Sequence, residues 1–357
     1  MGNSYRVAVI GSGRMGQIYI DAYSTYPDTE VVALVDTHAE RLQAVGRRFG
    51  VGGLYADVHT MLAEARPDIA AVVTPVKYMR EAVLACAAAG LKGVQVEKPI
   101  GGVLADADAM VEGCRDRGVL LAGGNLQRAM NEVQEAAGLL RDGSLGAIRG
   151  VSVHGIGGEI VGGGCQHISV LRLFTGAEVE EVTAWGTPDE ALAKKDDEGL
   201  IVNGVWRLST GIECAVFGAA TPGRGVEVWT DEALVRWDWG PPQIFKGFDA
   251  EGRRLPFDPG YASYEWSQFS YLTGSIRSFV AALNGEGEPW VSGDDLRRAL
   301  EVAVACKTSA LRGNAPVKLP LRDRSLALYP RIYRWGGGDV SGQPQSLAEA
   351  AGEKKRE

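Results

Sequence analysis

The stretch that decides the fold is YRVAVIGSGRMG at residues 5–16. Its apolar run at residues 7–10 predicts a buried strand, and the glycines that follow fit the pattern G-x-G-x-x-G, which joins a strand to a helix. The first glycine permits a tight turn, the second lets backbone approach a pyrophosphate, and the third lets helix and strand pack closely. Free N–H groups at the helix start favour phosphate there. The residues predicted to hold a dinucleotide are Gly11, Ser12, Gly13, Arg14, Met15 and Gly16.

An acidic residue follows the next strand, where a dinucleotide fold needs an acceptor for ribose hydroxyls. The strand is predicted at residues 30–35 and is followed by Asp36. A carboxylate at this position binds the hydroxyls and repels a 2′-phosphate. Thr37 and His38 supply no arginine beside it, although Arg41 lies about one helical turn further on. The sequence therefore predicts NAD as the cofactor and NADP as the less favoured alternative.

The first third of the chain alternates short apolar runs with helix-period segments. The apolar runs lie at residues 7–10, 30–35, 69–73, 93–96 and 119–122, and helical stretches such as residues 39–49, 80–89 and 105–117 separate them. Strands that are apolar throughout bury both faces, as in a parallel sheet covered by helices on both sides. Residues 1–124 are therefore predicted to form a doubly wound α/β (Rossmann) domain that binds NAD.

Beyond residue 124 the hydrophobicity pattern changes to alternating apolar and polar residues. Period-two segments occur at residues 148–156, 179–185, 200–208, 211–217, 226–230 and 233–239, and helical segments occur at residues 131–141, 267–283 and 294–311. Consecutive strands with short links predict an antiparallel sheet. Residues 125–335 are thus predicted to form an α+β domain with a large open sheet, which binds substrate and forms the subunit contacts. The composition of the tail, residues 336–357, predicts poor order.

Composition excludes several classes of protein. The chain has 357 residues and a formal net charge of −8, which disfavours nucleic acid as a partner. It contains no run of about 18 consecutive apolar residues, so a membrane span is not expected. Five scattered cysteines without a Cys-x-x-Cys pair suit reduced thiols and predict a cytoplasmic location. Cys165 and His167 would provide only two ligands of a zinc site, so no metal is predicted.

Three motifs in order resemble those of a known family. They are the glycine loop already quoted, Thr74-Pro75, and Glu97-Lys98-Pro99 after an apolar strand. In this order and spacing they are similar to the glucose–fructose oxidoreductase / inositol dehydrogenase / rhizopine-catabolism (Gfo/Idh/MocA) oxidoreductases. The resemblance implies Thr74, Pro75 and Glu97 in the cofactor pocket and Lys98 as a catalytic residue. It also implies sugars, inositols or glycosides as substrates, and a homodimer or homotetramer.

The residues around Lys98 lead to the same role on chemical grounds. Lys98 follows the predicted strand at residues 93–96, and ligands of open α/β sheets bind beyond the carboxyl ends of strands. Pro99 disfavours helix at the preceding residue, which helps to hold the lysine over the cleft. A lysine there can hydrogen-bond the reacting hydroxyl and stabilise negative charge on its oxygen, and it can also exchange the proton if burial or a neighbouring charge lowers its pKa.

The sequence departs from the family pattern in the segment at residues 162–172. Aligned on the family, Gln166 stands at a usual histidine and Ser169 at a usual aspartate, while His167 is displaced by one residue, or about 100° around a helix. Either His167 reaches the substrate because the helix starts differently, or the usual acid–base pair is absent and His167 packs on the far side. His154 is a second candidate acid or base, with a position on a sheet face as its alternative.

The expected function combines these features. Asn125 and Arg128 follow the fifth strand, where the family places substrate-facing residues, and they join Lys98, Gln166 and His167 as predicted substrate contacts. The chain is expected to be an NAD-dependent oxidoreductase that moves a hydride between nicotinamide and a ring carbinol of a sugar, inositol or glycoside. The alternative is a redox-neutral, NAD-dependent glycoside-cleaving enzyme. It needs a further base, for which the candidates are His154, His167, Tyr261 and Tyr264.

Overall fold

Two β-sheets organise the chain, a six-stranded parallel sheet followed by a nine-stranded mixed sheet. The computed structural model describes residues 4–219, 223–262, 270–338 and 345–352. Among these residues, no helix has both the length and the apolar character that crossing a membrane requires. Tyr264, one of the candidate bases, lies outside the described residues.

The first sheet has the strand order β3-β2-β1-β4-β5-β6, with every neighbouring pair parallel. Its elements are β1 (Tyr5–Ile10), α1 (Arg14–Thr25), β2 (Thr29–Val35), α2 (Ala39–Phe49), β3 (Gly53–Tyr55), α3 (Val58–Ala65), β4 (Ile69–Val72), α4 (Val76–Ala88), β5 (Gly93–Val96), α5 (Leu104–Arg115) and β6 (Leu120–Gly123). The predicted Rossmann sheet is confirmed. The order reverses at β1, between β2 and β4, and this reversal creates the crevice in which such sheets bind ligands.

The second sheet has the order β14-β13-β12-β11-β7-β10-β9-β8-β15. All its pairs are antiparallel except β7 with β10. The elements after β6 are a 3-10 turn (Gln127–Ala129), α6 (Asn131–Arg141), β7 (Ile148–His154), α7 (Gly164–Thr175), β8 (Val179–Thr187), α8 (Asp189–Ala193), β9 (Ile201–Leu208), β10 (Glu213–Phe217), β11 (Gly225–Thr230), β12 (Ala233–Trp237), β13 (Gln243–Phe248), β14 (Arg254–Phe257), α9 (Ser270–Leu283), α10 (Gly293–Leu311), β15 (Val317–Lys318), α11 (Ile332–Trp335) and α12 (Leu347–Ala350). The predicted large, mostly antiparallel sheet is confirmed.

The two faces of the mixed sheet differ in exposure. Helices α7 and α10 pack on one face, where alternate residues such as Trp206 are fully buried. The opposite face carries large apolar side chains in contact with solvent, including Trp185, Val205 and Phe217, which are 44%, 39% and 51% exposed. This open face suits the subunit contacts that the family resemblance implies, and the homo-oligomer remains a prediction.

The end of the chain returns to the dinucleotide domain. Within the tail, for which composition predicts poor order, the structure describes residues 336–338 and 345–352, and the latter include α12. Helix α12 packs on α2, and its Ala350 is 1% exposed. The C-terminal end of the described chain therefore contacts the first domain, which the N-terminal third of the sequence forms.

Candidate active site

The glycine loop between β1 and α1 has the geometry that a bound pyrophosphate needs. Gly11 has φ +99°, and a Cβ built on it would lie 2.4 Å from the carbonyl oxygen of Val73. A Cβ on Gly16 would lie 1.9 Å from the carbonyl oxygen of Gly11, which shows how closely helix and strand pack. A Cβ on Gly13 would meet nothing within 4 Å. Gly13 therefore borders open space into which a ligand can approach the backbone.

Asp36 lies directly after β2 and binds this loop. Its carboxylate accepts hydrogen bonds from Ser12 N (2.9 Å), Ser12 Oγ (2.7 Å) and His38 N (2.8 Å). Arg41 forms a bidentate contact with the Asp36 carboxylate, through Nη2 at 2.6 Å and Nε at 3.1 Å. Burial alone would raise the pKa of Asp36, but the bonds from Arg41, His38 and Ser12 lower it below its ordinary value. Asp36 is therefore ionised at neutral pH.

Two polar atoms at the carboxyl edge of the same sheet lack partners within the described protein. They are Thr74 Oγ1, which follows β4, and Asn125 Oδ1, which follows β6, and both atoms are buried. Buried polar atoms rarely go without a hydrogen bond, so an unpaired atom in a cleft points to a ligand that supplies one. Together with the open space at Gly13, these atoms fit a dinucleotide laid across the edge of the sheet.

Lys98 and Glu97 extend beyond β5 on this edge. Lys98 is half-buried, and its Nζ donates to the carbonyl oxygen of Gly162 at 3.4 Å. Glu97 is buried, and its Oε2 accepts a bond from the Tyr19 hydroxyl at 2.7 Å. Burial raises the pKa of Glu97, and the nearby Lys98 only partly offsets this effect. A Cβ at residue 124 would lie 1.7 Å from the Tyr19 hydroxyl, so Gly124 is required for this contact.

The second domain brings further charged groups towards Lys98. Glu159 Oε1 accepts bonds from the Tyr333 hydroxyl (2.9 Å) and from Arg334 Nε. Burial would raise the pKa of Glu159, but the Arg334 bond and charge lower it, with a smaller contribution from Lys98. Burial raises the pKa of Cys165 to about 12 although Lys98 is near, so this thiol stays protonated. Sequence reasoning did not single out Glu159, Tyr333 or Arg334.

Asp197 is a fourth residue that sequence reasoning missed. It is fully buried, and its Oδ2 accepts bonds from Val161 N (2.7 Å) and Gly162 N (3.2 Å). Burial raises the pKa of Asp197 to about 6. The carboxylate thus fixes the glycine-rich segment whose carbonyl contacts Lys98. In the sequence it stands in the charged run KKDDE at residues 194–198, which is typical of an exposed surface and gives no signal of this role.

His167 lies on the sheet-facing side of α7 and is 1% exposed. Its ring packs edge-on against Trp237 and Trp239, with centroids 5.5 and 5.6 Å away. Neither ring nitrogen has a hydrogen-bond partner among the described residues. Burial lowers the pKa of His167 to about 3 although the nearby backbone of Gly163 opposes this, and the charges of Arg224 and His154 add smaller lowering contributions. The structure thus places His167 in the packed position, and its catalytic role stays a prediction that this environment does not favour.

Gln166 and Ser169, which stand at the usual acid–base positions, are bound to the protein. Gln166 Oε1 accepts a bond from Gln127 N (2.8 Å), and its Nε2 donates to Asn125 O (3.3 Å). The Ser169 hydroxyl donates to the carboxylate of Asp295. Gln166 therefore connects α7 with the segment after β6, beside the proposed substrate cleft.

His154 makes its contacts on the mixed sheet. His154 ends β7 opposite Phe217 in the neighbouring strand, and its ring stacks on that of Phe217 at 5.4 Å. Its Nε2 lies 2.5 Å from Ser152 Oγ and 4.0 Å from a Glu227 carboxylate oxygen. Phe217 belongs to the open face of the mixed sheet, so the position of His154 corresponds to the sheet-face alternative.

Arg128 contacts protein groups from three directions. Its Nε donates to Trp290 O (2.7 Å), and its Nη1 donates to Ser169 O (2.9 Å) and to Asp295 Oδ1 (3.1 Å). Through these hydrogen bonds the guanidinium connects the 3-10 turn with α7 and α10. A substrate contact by Arg128 stays a prediction that its bonding does not favour.

Acid titration distinguishes a packed His167 from a catalytic one. A folded-state pKa of about 3 against an ordinary value of 6.5 means that neutral His167 stabilises the fold fully above pH 6.5. This stabilisation is lost progressively as the pH falls from 6.5 towards 3. At roughly pH 4.5 the loss amounts to about 2–3 kcal/mol of unfolding free energy. We expect His167→Phe to remove this share of acid sensitivity in urea titrations at several pH values.

The control for that variant is His59→Phe, because His59 is an exposed histidine on α3. It should leave the pH dependence of stability as in the wild type. Equal acid sensitivity in wild type and His167→Phe would contradict the packed assignment. A collapse of turnover in a folded His167→Phe protein would instead restore His167 as a catalytic residue.

The parallel sheet with its glycine loop and the adjoining mixed sheet define a two-domain protein with a dinucleotide-binding type of fold. Residues 5–124 match the family described as "Oxidoreductase family, NAD-binding Rossmann fold" (GFO_IDH_MocA). This match covers about one third of the chain and supports the resemblance drawn from the motifs.

Relatives cover nearly the whole chain. D-apiose dehydrogenase of Paraburkholderia graminis is 26% identical over 87% of this chain and 88% of its own length. Myo-inositol 2-dehydrogenase of Thermotoga maritima is 27% identical over 88% and 98%. Among solved structures, the aldose–aldose oxidoreductase from Caulobacter crescentus, complexed with glycerol, superposes with a TM-score of 0.73. It is 24% identical and covers 89% of this chain and all of its own, so it supports the fold alone.

Proposed function

We propose that this chain is an NAD-dependent dehydrogenase acting on a ring carbinol of a sugar, an inositol or a glycoside, with Lys98 at the reacting hydroxyl. The observation that carries the proposal is the position of Lys98. Its ammonium group lies at the carboxyl edge of the parallel sheet and contacts the glycine-rich segment of the second domain through Gly162. The full-length relatives named above are dehydrogenases of a branched sugar and of an inositol, which supports a polyhydroxylated substrate.

The chain's own residues supply binding, orientation and proton handling. Bound NAD supplies the hydride acceptor. The glycine loop and Asp36 hold the dinucleotide, and Thr74 and Asn125 offer unpaired polar atoms beside it. As a neutral amine, Lys98 Nζ accepts the proton of the substrate hydroxyl while the C–H bond breaks, and the ammonium so formed donates a hydrogen bond to the new carbonyl oxygen; in the reverse direction it returns the proton.

The charge pairing around the cleft supports an uncharged substrate. Arg334 is paired with Glu159, and Arg128 with Asp295. These partners neutralise the two arginines that would otherwise attract a phosphate or a carboxylate. A neutral polyol needs only hydrogen bonds, which Lys98 and the polar groups after β6 can provide.

The Asp36 site supports NAD over NADP. Its ionised carboxylate accepts hydrogen bonds, as a ribose diol requires, and would repel a 2′-phosphate. Arg41, the residue that could bind such a phosphate, is held by both carboxylate oxygens of Asp36. A preference for NADP would require this pair to separate.

The test is the growth of reduced-nicotinamide absorbance with purified protein, NAD or NADP, and a panel of aldoses, D-apiose, inositols and glycosides. We expect sustained growth with NAD and one class of neutral polyol, and slower growth with NADP. Faster turnover with NADP would overturn the cofactor assignment. Reduction of dinucleotide only by phosphorylated or acidic sugars would overturn the substrate class.

The glycoside-cleaving alternative would give a flat absorbance trace together with release of aglycone. It needs a base besides Lys98, and the described candidates are engaged elsewhere. His167 is buried with its pKa lowered to about 3, His154 stacks on the open sheet face, and the Tyr261 hydroxyl donates to Pro242 O at 2.7 Å. These placements favour net dehydrogenation over internal hydride return.

A further inference from the structure

Residues 345–352, here named the C-terminal segment, dock beside the dinucleotide loop. Their helix α12 starts with a capping box in which Glu349 N donates to Ser346 Oγ (3.2 Å) and Ser346 N donates to Glu349 Oε2 (2.8 Å). Ala350 is 1% exposed and shares an apolar cluster with Ala44 and Val45 of α2. A local cap and an apolar anchor together specify this docked position.

The C-terminal segment connects to the glycine loop through one buried amide. Gln17, in the first turn of α1, is 6% exposed, and its Nε2 donates to Ser12 O at 3.1 Å and to Gln345 Oε1 at 2.9 Å. Its Oε1 accepts a bond from Arg48 Nη1 at 2.9 Å. Ser12 in turn binds Asp36 through N and Oγ. A continuous set of bonds thus runs from Gln345 to the predicted ribose acceptor.

A second contact reaches the same loop. Arg14, which stands between the second and third glycines, lies with Nη2 3.5 Å from Glu349 Oε2. Both side chains are partly exposed, and ion pairs of this kind contribute little to binding or stability. The buried amide of Gln17 is therefore the stronger of the two connections.

We propose that the docked C-terminal segment positions the glycine loop and thereby tightens dinucleotide binding. Ser12 is fully buried between the first two glycines of the loop, and its orientation is fixed through its N–H by Asp36 and through its carbonyl by Gln17. It thereby fixes the adjacent Gly13, which borders the open space. With Gln345 bound, the Gln17 amide is held in one orientation, so the loop loses less freedom when the dinucleotide binds. This inference rests on the proposed cofactor site and adds a part of the chain that is distant from the glycine motif.

The first test uses one substitution at two positions of α12 in the full-length chain. Ala350→Glu places a carboxylate against α2 and should expel the segment, whereas Ala348→Glu places the same group on the exposed side. We expect the Kd for NAD, measured by tryptophan fluorescence titration, to rise about 3- to 10-fold in Ala350→Glu, because both bonds between Gln17 and Gln345 are lost and the net contribution of a hydrogen bond is of this order. Ala348→Glu should bind NAD like the wild type.

The second variant, Gln345→Leu, breaks the amide pair without adding a charge to the helix. It should raise both the Kd and the KM for NAD by a similar factor while kcat at saturating NAD stays unchanged, a split that a merely structural role would not produce. Wild-type affinity in both Ala350→Glu and Gln345→Leu would overturn the inference. Failure of the wild-type chain itself to bind NAD would instead overturn the proposed cofactor site, so the two failures are distinguishable.

Discussion

Replacing Lys98 with alanine is expected to lower kcat by about 10²- to 10⁴-fold, the usual contribution of a positioned acid–base group. The variant keeps the glycine loop and Asp36, so its Kd for NAD should stay close to that of the wild type. The reason is the position of Nζ, which lies beyond the end of β5 and contacts Gly162 of the second domain. The measurements are steady-state kinetics with the substrate identified by the panel and a separate NAD titration.

Lys92→Ala is the matched control, because Lys92 precedes β5 as Lys98 follows it. Lys92 is well exposed and pairs with Asp68 at 3.0 Å, away from the carboxyl edge of the sheet. Its loss should leave both kinetics and NAD binding unchanged. Turnover retained in Lys98→Ala would remove the catalytic assignment, and a parallel loss of NAD affinity would make Lys98 a cofactor-binding residue instead.

The dinucleotide half of the site could be predicted because its determinants are local in sequence. Gly11 and Gly16 act within one βα turn, and Asp36 follows the very next strand, so spacing alone brings them together. The elements that escaped prediction in this domain were short. Strand β3 has only three residues, starts at Gly53 and is half-buried, so it shows neither an apolar run nor alternation.

The register of α7 could not be settled from sequence, because one residue decides it. Gln166 and His167 are neighbours, so a small change in where the helix begins exchanges the side chain that faces the cleft. In the structure the imidazole of His167 packs against Trp237 at the end of β12 and against Trp239 just after it. Those aromatic partners lie about 70 residues further along the chain, and no local pattern connects them to His167.

Charged side chains were the hardest to interpret. For Arg128 the sequence predicts a substrate contact, whereas for Asp197 it gives no signal, because a charged run such as residues 194–198 is typical of an exposed surface. Their partners are distant in sequence, Asp295 for Arg128 and the glycine-rich segment for Asp197. Whether a charged side chain faces solvent, a ligand or a buried partner depends on such long-range contacts, which cannot be predicted from composition.

The largest effect on stability is expected at Asp295, the centre of a buried charge cluster. Its carboxylate accepts bonds from Arg128, Arg172 and Ser169, and its side chain is only 4% exposed. Its own backbone N–H donates to Ser292 Oγ, which caps α10 (3.0 Å). One carboxylate therefore holds together α7, α10 and the 3-10 turn after β6, which are the elements that flank the proposed substrate cleft.

Asp295→Ala leaves two arginines with low exposure and without this counter-charge. Burial lowers the pKa of Arg128, and the Asp295 charge opposes that effect, so removing the carboxylate makes the buried cation costlier. Breaking a buried ion pair by removing one partner costs about 3–5 kcal/mol. We therefore expect the free energy of unfolding to fall by about this amount, measured from urea denaturation midpoints and slopes.

Asp294→Ala provides the comparison, since it removes the adjacent carboxylate from the surface of the same helix. Asp294 is 40% exposed and pairs with Arg297 and Arg298, three and four residues further along α10. Surface pairs of this kind contribute about 0–1 kcal/mol. A loss in Asp295→Ala no larger than in Asp294→Ala would mean that water or rearranged side chains compensate both arginines. The cluster would then orient the cleft without stabilising the fold.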